Sequence, residues 1–227
     1  MRGLFVTGTD TNVGKTVVCA ALMHRYRQQY ALRYWKPVQT GIEEADDTST
    51  VRQLGDCVDV EILDQGVRLK RPLSPHAAAE LEGETIELAR VCRIPGGMLQ
   101  NVHWIVEGAG GVLVPLNDKA LMINLMKVLE LPVVIVARAE LGTINHTLLT
   151  IEALKQREVP IVGLVIVGDP QPGTRTAIEK HGQVSVLGEM PRFVELNSDV
   201  VGDWARENLD PRSHVSSFLQ WQLAKRA

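Results

Sequence analysis

The residues with the clearest chemical potential lie near the start of the chain, in the segment GLFVTGTDTNVGKT at residues 3–16. Its apolar beginning predicts a buried strand, Gly8 to Gly14 a loop, and the apolar spacing that follows a helix. Backbone N–H groups at a helix N-terminus hold a triphosphate well, because the helix dipole favours anions. Lys15 would reach the β- and γ-phosphates, and the Thr16 hydroxyl would bind the Mg²⁺ that bridges them. The segment therefore predicts a nucleotide site.

The spacing of this loop differs from the commonest form of the motif. Five residues separate Gly8 from Gly14, one more than usual. A Gly-Lys-Thr run alone occurs often by chance, and a structural turn is the alternative interpretation. The position after a strand and before a helix favours the nucleotide site.

Length and composition limit the classes of protein that this chain can represent. With 227 residues, 45% of them hydrophobic, the chain suits one large domain over residues 1–227. The net charge of −3 provides no electrostatic surface for nucleic acid, so we expect no nucleic-acid partner.

The cysteines and the apolar runs indicate where such a protein would work. The three cysteines are widely spaced, which predicts neither a disulfide framework nor a zinc site. We see no apolar run long enough for a membrane helix and no secretory signal. The sequence therefore predicts a cytoplasmic protein with no membrane partner.

Two further groups could complete a nucleotide site. Lys36 lies in the predicted strand 32–38, near the carboxyl end where ligands bind in open parallel sheets, although a solvated lysine is the commoner interpretation. The acidic loop 41–50 contains Asp46 and Asp47, either of which could bind Mg²⁺. Glu107 directly follows an apolar strand, as the second acidic metal contact of many phosphate-loop enzymes does; a structural carboxylate bound by the following glycine amides is the alternative.

The rest of the chain alternates apolar strands with helical patterns. This alternation is typical of a parallel sheet with helices on both faces, so the predicted fold class is α/β, similar to P-loop NTPases. The predicted strands are 102–107, 132–137, 160–167 and 184–187. The predicted helices are 17–30, 84–93, 120–129, 143–157 and 215–225, with a further start at Ser74-Pro75 and a break at residues 95–97.

The predicted helix at residue 143 begins with a sequence suited to anion binding. Gly142, Thr143 and Asn145 precede or form its first turn, where free N–H groups could hold an anion. Ordinary capping by Thr143 or Asn145 explains the same residues.

Six segments together resemble the dethiobiotin synthetase family: GTDTNVGKT, WKPVQTG, SPHAAA, VEGAGG, ELGTINH and GEMP. They occur in the family's order between about residues 3 and 193, and the longer loop between the glycines is also a family feature. The resemblance implies a cyclo-ligase that converts 7,8-diaminononanoate, CO₂ and ATP into dethiobiotin, ADP and phosphate. A carbamate would form first, ATP would phosphorylate it, and the second amine would close the cyclic urea.

The resemblance also implies roles for individual residues. Lys15, Lys36 and Thr11 match catalytic positions, and Thr16, Asp47 and Glu107 match the Mg²⁺ ligands. Asp47 is preferred to Asp46 because the family's acid directly precedes the small residue that begins the next helix, here Thr48. The implied nucleotide-binding residues are Asn12, Val13, Gly14, Lys15, Thr16, Val17, Asp47, Glu107, Gly108, Ala109, Gly110, Val167, Gly168, Pro191, Arg192 and Phe193.

The substrate site of the family lies at a homodimer interface. The resemblance therefore implies a homodimer, with Thr40 near the substrate. It further implies that Gly142, Thr143 and Asn145 at the start of a helix reach the substrate carboxylate of the partner subunit.

One position departs from the family. Many members have an asparagine that recognises adenine after the strand that ends at Val167, whereas this chain continues with Gly168 and Asp169. The departure predicts either a loosely selective site or a preference for a base other than adenine, with residues 190–193 forming most of the base pocket.

Two other classes share parts of this pattern. The synthetase half of the cobyrinic-acid amidases has a similar loop, but those chains continue into a glutaminase domain. Partitioning and cell-division ATPases carry a signature lysine five residues before the loop lysine, where this chain has Asp10.

Overall fold

A seven-stranded sheet forms the centre of the computed structural model, which describes residues 1–94, 98 and 101–224. The strand order is β11-β10-β9-β1-β6-β2-β4, and each adjacent pair is parallel. The strands are β1 (Gly3–Gly8), β2 (Leu32–Trp35), β4 (Ile62–Leu63), β6 (His103–Gly111), β9 (Val133–Arg138), β10 (Ile161–Val167) and β11 (Val186–Met190). The predicted α/β fold class with a parallel sheet is therefore confirmed.

Helices cover both faces of this sheet. Successive residues of β1 alternate between two apolar cores, since Leu4 and Val6 pack on one side and Phe5 on the other. The helices are α1 (Lys15–Tyr26), α2 (Asp47–Leu54), α3 (Pro75–Leu81), α4 (Leu88–Val91), α5 (Met122–Leu129), α6 (Thr143–Gln156), α7 (Thr174–Gly182), α8 (Ser198–Asn208) and α9 (His214–Ala224). In the described part of the chain, no helix has both the length and the apolar character needed to cross a membrane.

Two short strand pairs lie outside the central sheet. Strand β3 (Val38–Thr40) pairs in parallel with β5 (Val67–Leu69), and β7 (Pro115–Asn117) pairs antiparallel with β8 (Ala120–Leu121). The predicted strand 32–38 is therefore confirmed at residues 32–35 and wrong beyond them, because the chain leaves the main sheet at Lys36 and Pro37 and starts a new ladder at Val38. Helix α5 begins at Met122, two residues later than the predicted helix 120–129, because Ala120 and Leu121 belong to a strand.

Other boundaries also differ from the sequence predictions. The predicted helix 84–93 was wrong over most of its length, since only residues 88–91 are helical. Residues 84–87 lie outside it because Ile86 is fully buried and its carbonyl accepts from Asn117 Nδ2 at 2.5 Å. Helix α1 ends at Tyr26 instead of residue 30, α7 and α8 were not predicted, and the predicted break at 95–97 lies outside the described residues.

The C-terminal segment, which the sequence left without a role, packs against α1. Asp210 is buried, and its carboxylate accepts from Tyr26 Oη at 2.7 Å and from the backbone N–H groups of His214 and Val215 at 2.7 and 3.0 Å. It therefore caps α9 and joins that helix to the helix that follows the glycine loop. Burial, together with this carboxylate, raises the pKa of Tyr26 above its ordinary range.

Replacement of Asp210 by alanine is expected to lower the free energy of unfolding by about 2–4 kcal/mol, since it leaves one buried hydroxyl and two N–H groups without their acceptor. Urea denaturation followed by circular dichroism measures this change. Asp203→Ala is the matched control, because its carboxylate is exposed on α8 and pairs with an exposed Arg206. The control should change the free energy by less than about 0.5 kcal/mol, and equal losses in both variants would contradict the capping role.

Candidate active site

The glycine loop lies at the carboxyl edge of the sheet, between β1 and α1. Gly14 adopts φ 94° and is the N-cap of α1, so the first N–H groups of that helix follow directly after it. A side chain on Gly8 would meet the Asp10 carbonyl at 2.5 Å. The Lys15 ammonium lies 3.1 Å from that same carbonyl and is largely buried. The glycines are therefore required for the loop to fold tightly around the lysine.

Four side chains from four separate elements converge beside this loop. The Lys36 ammonium, just after β2, lies 2.6 Å from Asp47 Oδ2 at the start of α2 and 2.7 Å from Glu107 Oε1 in β6. Thr16 Oγ1 in α1 lies 3.1 Å from Asp47 Oδ1 and 3.0 Å from Glu107 Oε1. This group, the Lys36 cluster, contains residues separated by up to 91 positions in sequence.

Glu107 has a further partner that sequence reasoning missed. The Tyr34 hydroxyl donates to Glu107 Oε2 at 2.8 Å, and both side chains are fully buried. Tyr34 is two residues before Lys36 on the same strand edge, so strand alternation directs both side chains to one face. This two-residue spacing was the sequence signal that could have identified Tyr34 as part of the site. The tyrosine fixes the carboxylate that faces Lys36 and Thr16.

Burial and neighbouring charges set the ionisation of the two lysines. Burial lowers the pKa of Lys15, and the nearby Lys36 charge lowers it further, against the opposing effects of Glu107 and Asp47. Burial also acts to lower the pKa of Lys36, but the two carboxylates outweigh it and the net pKa is raised. Lys36 therefore stays a cation, and Lys15 loses its proton more readily than an exposed lysine does.

The oxygen atoms of the Lys36 cluster suit Mg²⁺. Two carboxylates lie within 3.1 Å of the Thr16 hydroxyl, and Mg²⁺ takes oxygen ligands. Among the described residues, no group of three or more histidine, cysteine or acidic side chains is placed to hold a metal.

The two neighbouring acids of the 41–50 loop have different surroundings. Asp46 is the N-cap of α2, where its carboxylate accepts from Thr48 N at 3.0 Å and from Ser49 Oγ at 2.6 Å. Partial burial acts to raise the pKa of Asp46, but these hydrogen bonds outweigh it and lower the pKa. Asp47 instead faces Thr16 and Lys36. The geometry therefore favours Asp47 over Asp46 as a metal ligand.

Alanine at each of these two positions should produce different losses. Asp46→Ala is expected to cost about 0.5–2 kcal/mol of stability through the lost cap, and to weaken metal-dependent nucleotide binding less than the loss of Asp47 does. In the wild type, the stabilisation that the Asp46 carboxylate gives to α2 should be present above pH 3.8. It should disappear as the pH falls through the lowered pKa of Asp46. Asp47→Ala should weaken Mg²⁺-dependent nucleotide binding about 10-fold or more. Calorimetric titration with and without Mg²⁺, beside urea denaturation, separates the two effects, and a reversed pattern would contradict the assignment.

A cavity of about 790 Å³ adjoins the Lys36 cluster. Its walls include all of the predicted catalytic and metal residues, and also a rim at residues 72–75, at the start of α3, that the sequence did not associate with the site. The predicted site residues that line it are Thr11, Asn12, Gly14, Lys15, Thr16, Val17, Lys36, Thr40, Asp47, Glu107, Ala109 and Gly110. This volume is in the range of small-molecule sites.

The predicted residues at the start of α6 lie apart from that cavity. Gly142 and Asn145 are exposed, whereas Thr143 is buried and its hydroxyl has no hydrogen-bond partner within the described structure. A second hollow of about 510 Å³ separates α6 from the glycine loop and is lined by Thr11 and Leu149, among others. Within a single chain, α6 therefore does not contribute to the wall of the larger cavity.

The predicted base pocket lies beyond the end of β10. The Val167 side chain packs beside Gly14, where an added Cβ would approach it to 3.2 Å. Gly168 N donates to the Met190 carbonyl at 2.8 Å, which joins the ends of β10 and β11. The exposed Arg192 forms an ion pair with Glu140, Pro191 is exposed, and Phe193 packs partly on the α1 core. The two remaining predicted contacts, Val13 and Gly108, are buried.

Comparison with solved structures agrees with the topology. A ParA family ATPase from Chlorobium tepidum superimposes with a TM-score of 0.54 and 12% identity, over 90% of this chain and 97% of the other. At this identity the likeness concerns the fold alone. A family model described as an AAA domain matches residues 2–199. The parallel sheet and the glycine loop thus define a P-loop nucleoside-triphosphate-binding protein.

Sequence relatives define the family more narrowly. The ATP-dependent dethiobiotin synthetase of Paramagnetospirillum magneticum is 48% identical over 190 residues, which cover 84% of this chain and 88% of the relative. The enzyme of the same name from Brucella ovis is 43% identical over 196 residues, covering 86% and 89% of the two chains. The chain belongs to the dethiobiotin synthetase family, as the six sequence segments predicted.

Proposed function

We propose that this chain uses ATP to close the cyclic urea of dethiobiotin from 7,8-diaminononanoate and CO₂ in the 790 Å³ cavity. The observation that carries the proposal is the Lys36 ammonium held at 2.6 and 2.7 Å between Asp47 and Glu107, beside the glycine loop. The reaction needs cations close to a carbamate and to a transferring phosphoryl group, and Lys15 and Lys36 supply them on one cavity wall.

The chain's own residues would mainly position charge. Thr16, Asp47 and Glu107 would hold Mg²⁺, which neutralises phosphate charge when bound. Lys15 is placed by the glycine loop to contact the terminal phosphates. Lys36 keeps its proton because the two carboxylates raise its pKa, so it can stabilise negative charge on the carbamate oxygen as that oxygen attacks the γ-phosphorus.

The bonds formed and broken require little proton transfer from the protein. One substrate amine adds to CO₂ and loses a proton to give the carbamate. The carbamate oxygen then takes the γ-phosphoryl group, and ADP leaves. The second amine attacks the carbamoyl carbon, expels phosphate and loses a proton, which closes the ring. Thr11 and Thr40 line the cavity and would position the substrate.

The direct test supplies purified protein with 7,8-diaminononanoate, bicarbonate, Mg²⁺ and ATP, and measures dethiobiotin by mass spectrometry. Dethiobiotin and ADP should appear in equal amounts, and neither should form without the diamine. Nucleotide hydrolysis that is independent of the diamine would instead indicate a nucleotide switch of the partitioning type. Repeating the assay with CTP and GTP measures the base selectivity, which we propose is relaxed because Val167 and Gly168 lack the family's asparagine.

We also propose that the active protein is a homodimer that pairs through α6. Leu141 just before this helix, and Ile144 and Leu149 within it, expose apolar side chains. Leu149 also lines the 510 Å³ hollow. Apolar surface of this kind favours association. Pairing would bring Gly142, Thr143 and Asn145 of one subunit towards the cavity of the other.

The Leu149→Arg variant should separate the subunits, because it places a cation on the proposed apolar interface. Light scattering should give twice the 25.0 kDa chain mass for the wild type and a single chain mass for the variant. Turnover should fall with the loss of the dimer. Val128→Arg on α5 is the control, since this side chain is about equally exposed, at 54% against 55% for Leu149. A monomeric wild type with full turnover would contradict the proposal.

We further propose that residues 1–227 act as one domain in the cytoplasm. The C-terminal helices pack on α1 through Asp210 and Tyr26 instead of forming a separate core. Cys19, Cys57 and Cys92 are free thiols, which suits a reducing compartment.

A further inference from the structure

A buried amide lies behind the acidic loop and has no part in the chemistry described above. Gln39, in the middle of β3, is 1% exposed. Its Nε2 donates to the Ala45 carbonyl at 2.9 Å, six residues further along the chain. Its Oε1 has no hydrogen-bond partner within the described structure. Loss of this bond would leave the buried amide without any partner among the described residues, so the bond favours the observed position of the Ala45 carbonyl.

The bond from Gln39 holds the segment that leads into Asp47. The loop turns at Gly41, whose φ is 72° and whose carbonyl accepts from the N–H groups of Glu44 and Ala45 at 3.0 and 3.1 Å. Ala45 is next to Asp46, the N-cap of α2, and Asp47 follows as the first helical residue. A shift of the Ala45 carbonyl would therefore move the start of α2 and, with it, the Asp47 carboxylate.

On the opposite side, the Asp47 carboxylate pairs directly with Lys36 at 2.6 Å, whereas the backbone of the segment is held less firmly. Arg68 bonds the Lys36 carbonyl at 2.9 Å but reaches Thr48 Oγ1 only at 3.5 Å, at the limit of a hydrogen bond. The side chains of Glu43, Glu44 and Ala45 are exposed, so water can replace Gln39 at the Ala45 carbonyl. Loss of the amide would then loosen the loop without removing a core contact.

We propose that Gln39 is a positioning residue that sets Asp47 for Mg²⁺ through the Ala45 carbonyl, an inference that rests on the proposed role of Asp47. Hydrogen-bond partners that orient metal ligands typically change metal affinity about 10- to 100-fold when they are removed. Gln39 acts one step further away, through the backbone, so we expect the lower end of that range. Its side chain is not part of the wall of the 790 Å³ cavity.

The test uses Gln39→Leu and Gln39→Met, with Gln53→Leu on the exposed side of α2 as the matched control. Calorimetry with ADP should show that Mg²⁺ strengthens binding about 10-fold less in the Gln39 variants than in the wild type. ADP binding in EDTA should stay within about twofold. In turnover, the Mg²⁺ concentration for half-maximal rate should rise about 10-fold while kcat at saturating Mg²⁺ stays within about twofold.

A second measurement requires neither metal nor turnover. Glu-C protease cuts after glutamate, and Glu43 and Glu44 lie in the loop that Gln39 holds. Without metal, Gln39→Leu and Gln39→Met should be cut there several-fold faster than the wild type and Gln53→Leu, because the loop would be open more often in the two Gln39 variants.

Three results would overturn the inference. The first is that both Gln39 variants are cut at the wild-type rate and keep the wild-type Mg²⁺ dependence. The second is that they lose ADP affinity equally with and without Mg²⁺. The third is that circular dichroism shows both variants unfolded, which would make Gln39 a residue required for folding. Failure of the proposed function looks different. In that case the wild type makes no dethiobiotin, while the cleavage and metal-linked binding still report on Gln39.

Discussion

The Lys36→Ala variant is expected to lose kcat by about 10²- to 10³-fold while its affinity for Mg²⁺·ATP changes by less than about threefold. The reason is the position of the ammonium group, which is 3% exposed and beside both proposed metal carboxylates, where it can act on charge that develops during phosphoryl transfer. Lys15 and the loop N–H groups remain for nucleotide binding. Steady-state kinetics and calorimetric titration with a non-hydrolysable nucleotide measure the two quantities separately.

Two further variants make this result specific. Removal of a buried cation leaves Glu107 less compensated and is expected to cost about 3–5 kcal/mol of stability, so the folded fraction must be checked by denaturation. Lys36→Arg keeps the charge and should retain stability, yet its different shape should not restore full turnover. Lys180→Ala, an exposed lysine on α7, is the surface control and should leave both quantities unchanged. Equal losses of binding and turnover in Lys36→Ala would contradict the proposed role.

The second large effect is expected for Glu107→Gln. This change keeps the shape of a fully buried side chain but removes the charge that faces Lys36 at 2.7 Å and Thr16 at 3.0 Å. A neutral amide is a poorer ligand for Mg²⁺, so kcat should fall about 10²-fold or more and the Mg²⁺ requirement should rise. The pKa of Lys36 should also fall, since the carboxylate is a main cause of its elevation. A Mg²⁺ titration of turnover measures the first effect.

Tyr34→Phe separates the charge of Glu107 from its orientation. The phenylalanine removes only the hydrogen bond to Oε2 at 2.8 Å and leaves the carboxylate in place. In Tyr34→Phe, turnover should fall about 10-fold, which is a much smaller loss than in Glu107→Gln. Glu207→Gln on α8 is the exposed control. If the Glu107→Gln variant kept the wild-type Mg²⁺ dependence, the proposed role of Glu107 as a metal ligand would be contradicted.

The longer strands of the central sheet, the glycine loop and the helix that follows it were accessible from local sequence. Residues 3–16 contain a strand, a loop and a helix start whose meaning depends on near neighbours, and the apolar runs at 132–137 and 160–167 can be buried only in a sheet covered on both faces. Family motifs added the reaction, since those segments were recognisable without coordinates. These features were predictable because their causes lie within a few residues.

The short elements were not accessible in this way. β3 and β8 are each three residues or fewer and exist through pairing with β5 and β7, so their own periodicity is too short to detect. Ile86 appeared helical by pattern, but burial and the bond from Asn117 hold it outside a helix. Tertiary contacts override weak local propensity in such segments.

By itself, the sequence determined the fold class, the glycine loop with Lys15 and Thr16, and membership of a family. The tertiary structure alone decided that Lys36 lies between Asp47 and Glu107, that Asp46 is a helix cap, that Gln39 holds the acidic loop, and that Asp210 anchors the C-terminal helix. The physical reason is distance along the chain. Hydrogen bonds and charge pairs between residues tens of positions apart depend on how the strands are ordered and how far each side chain reaches, and neither quantity is encoded in local spacing.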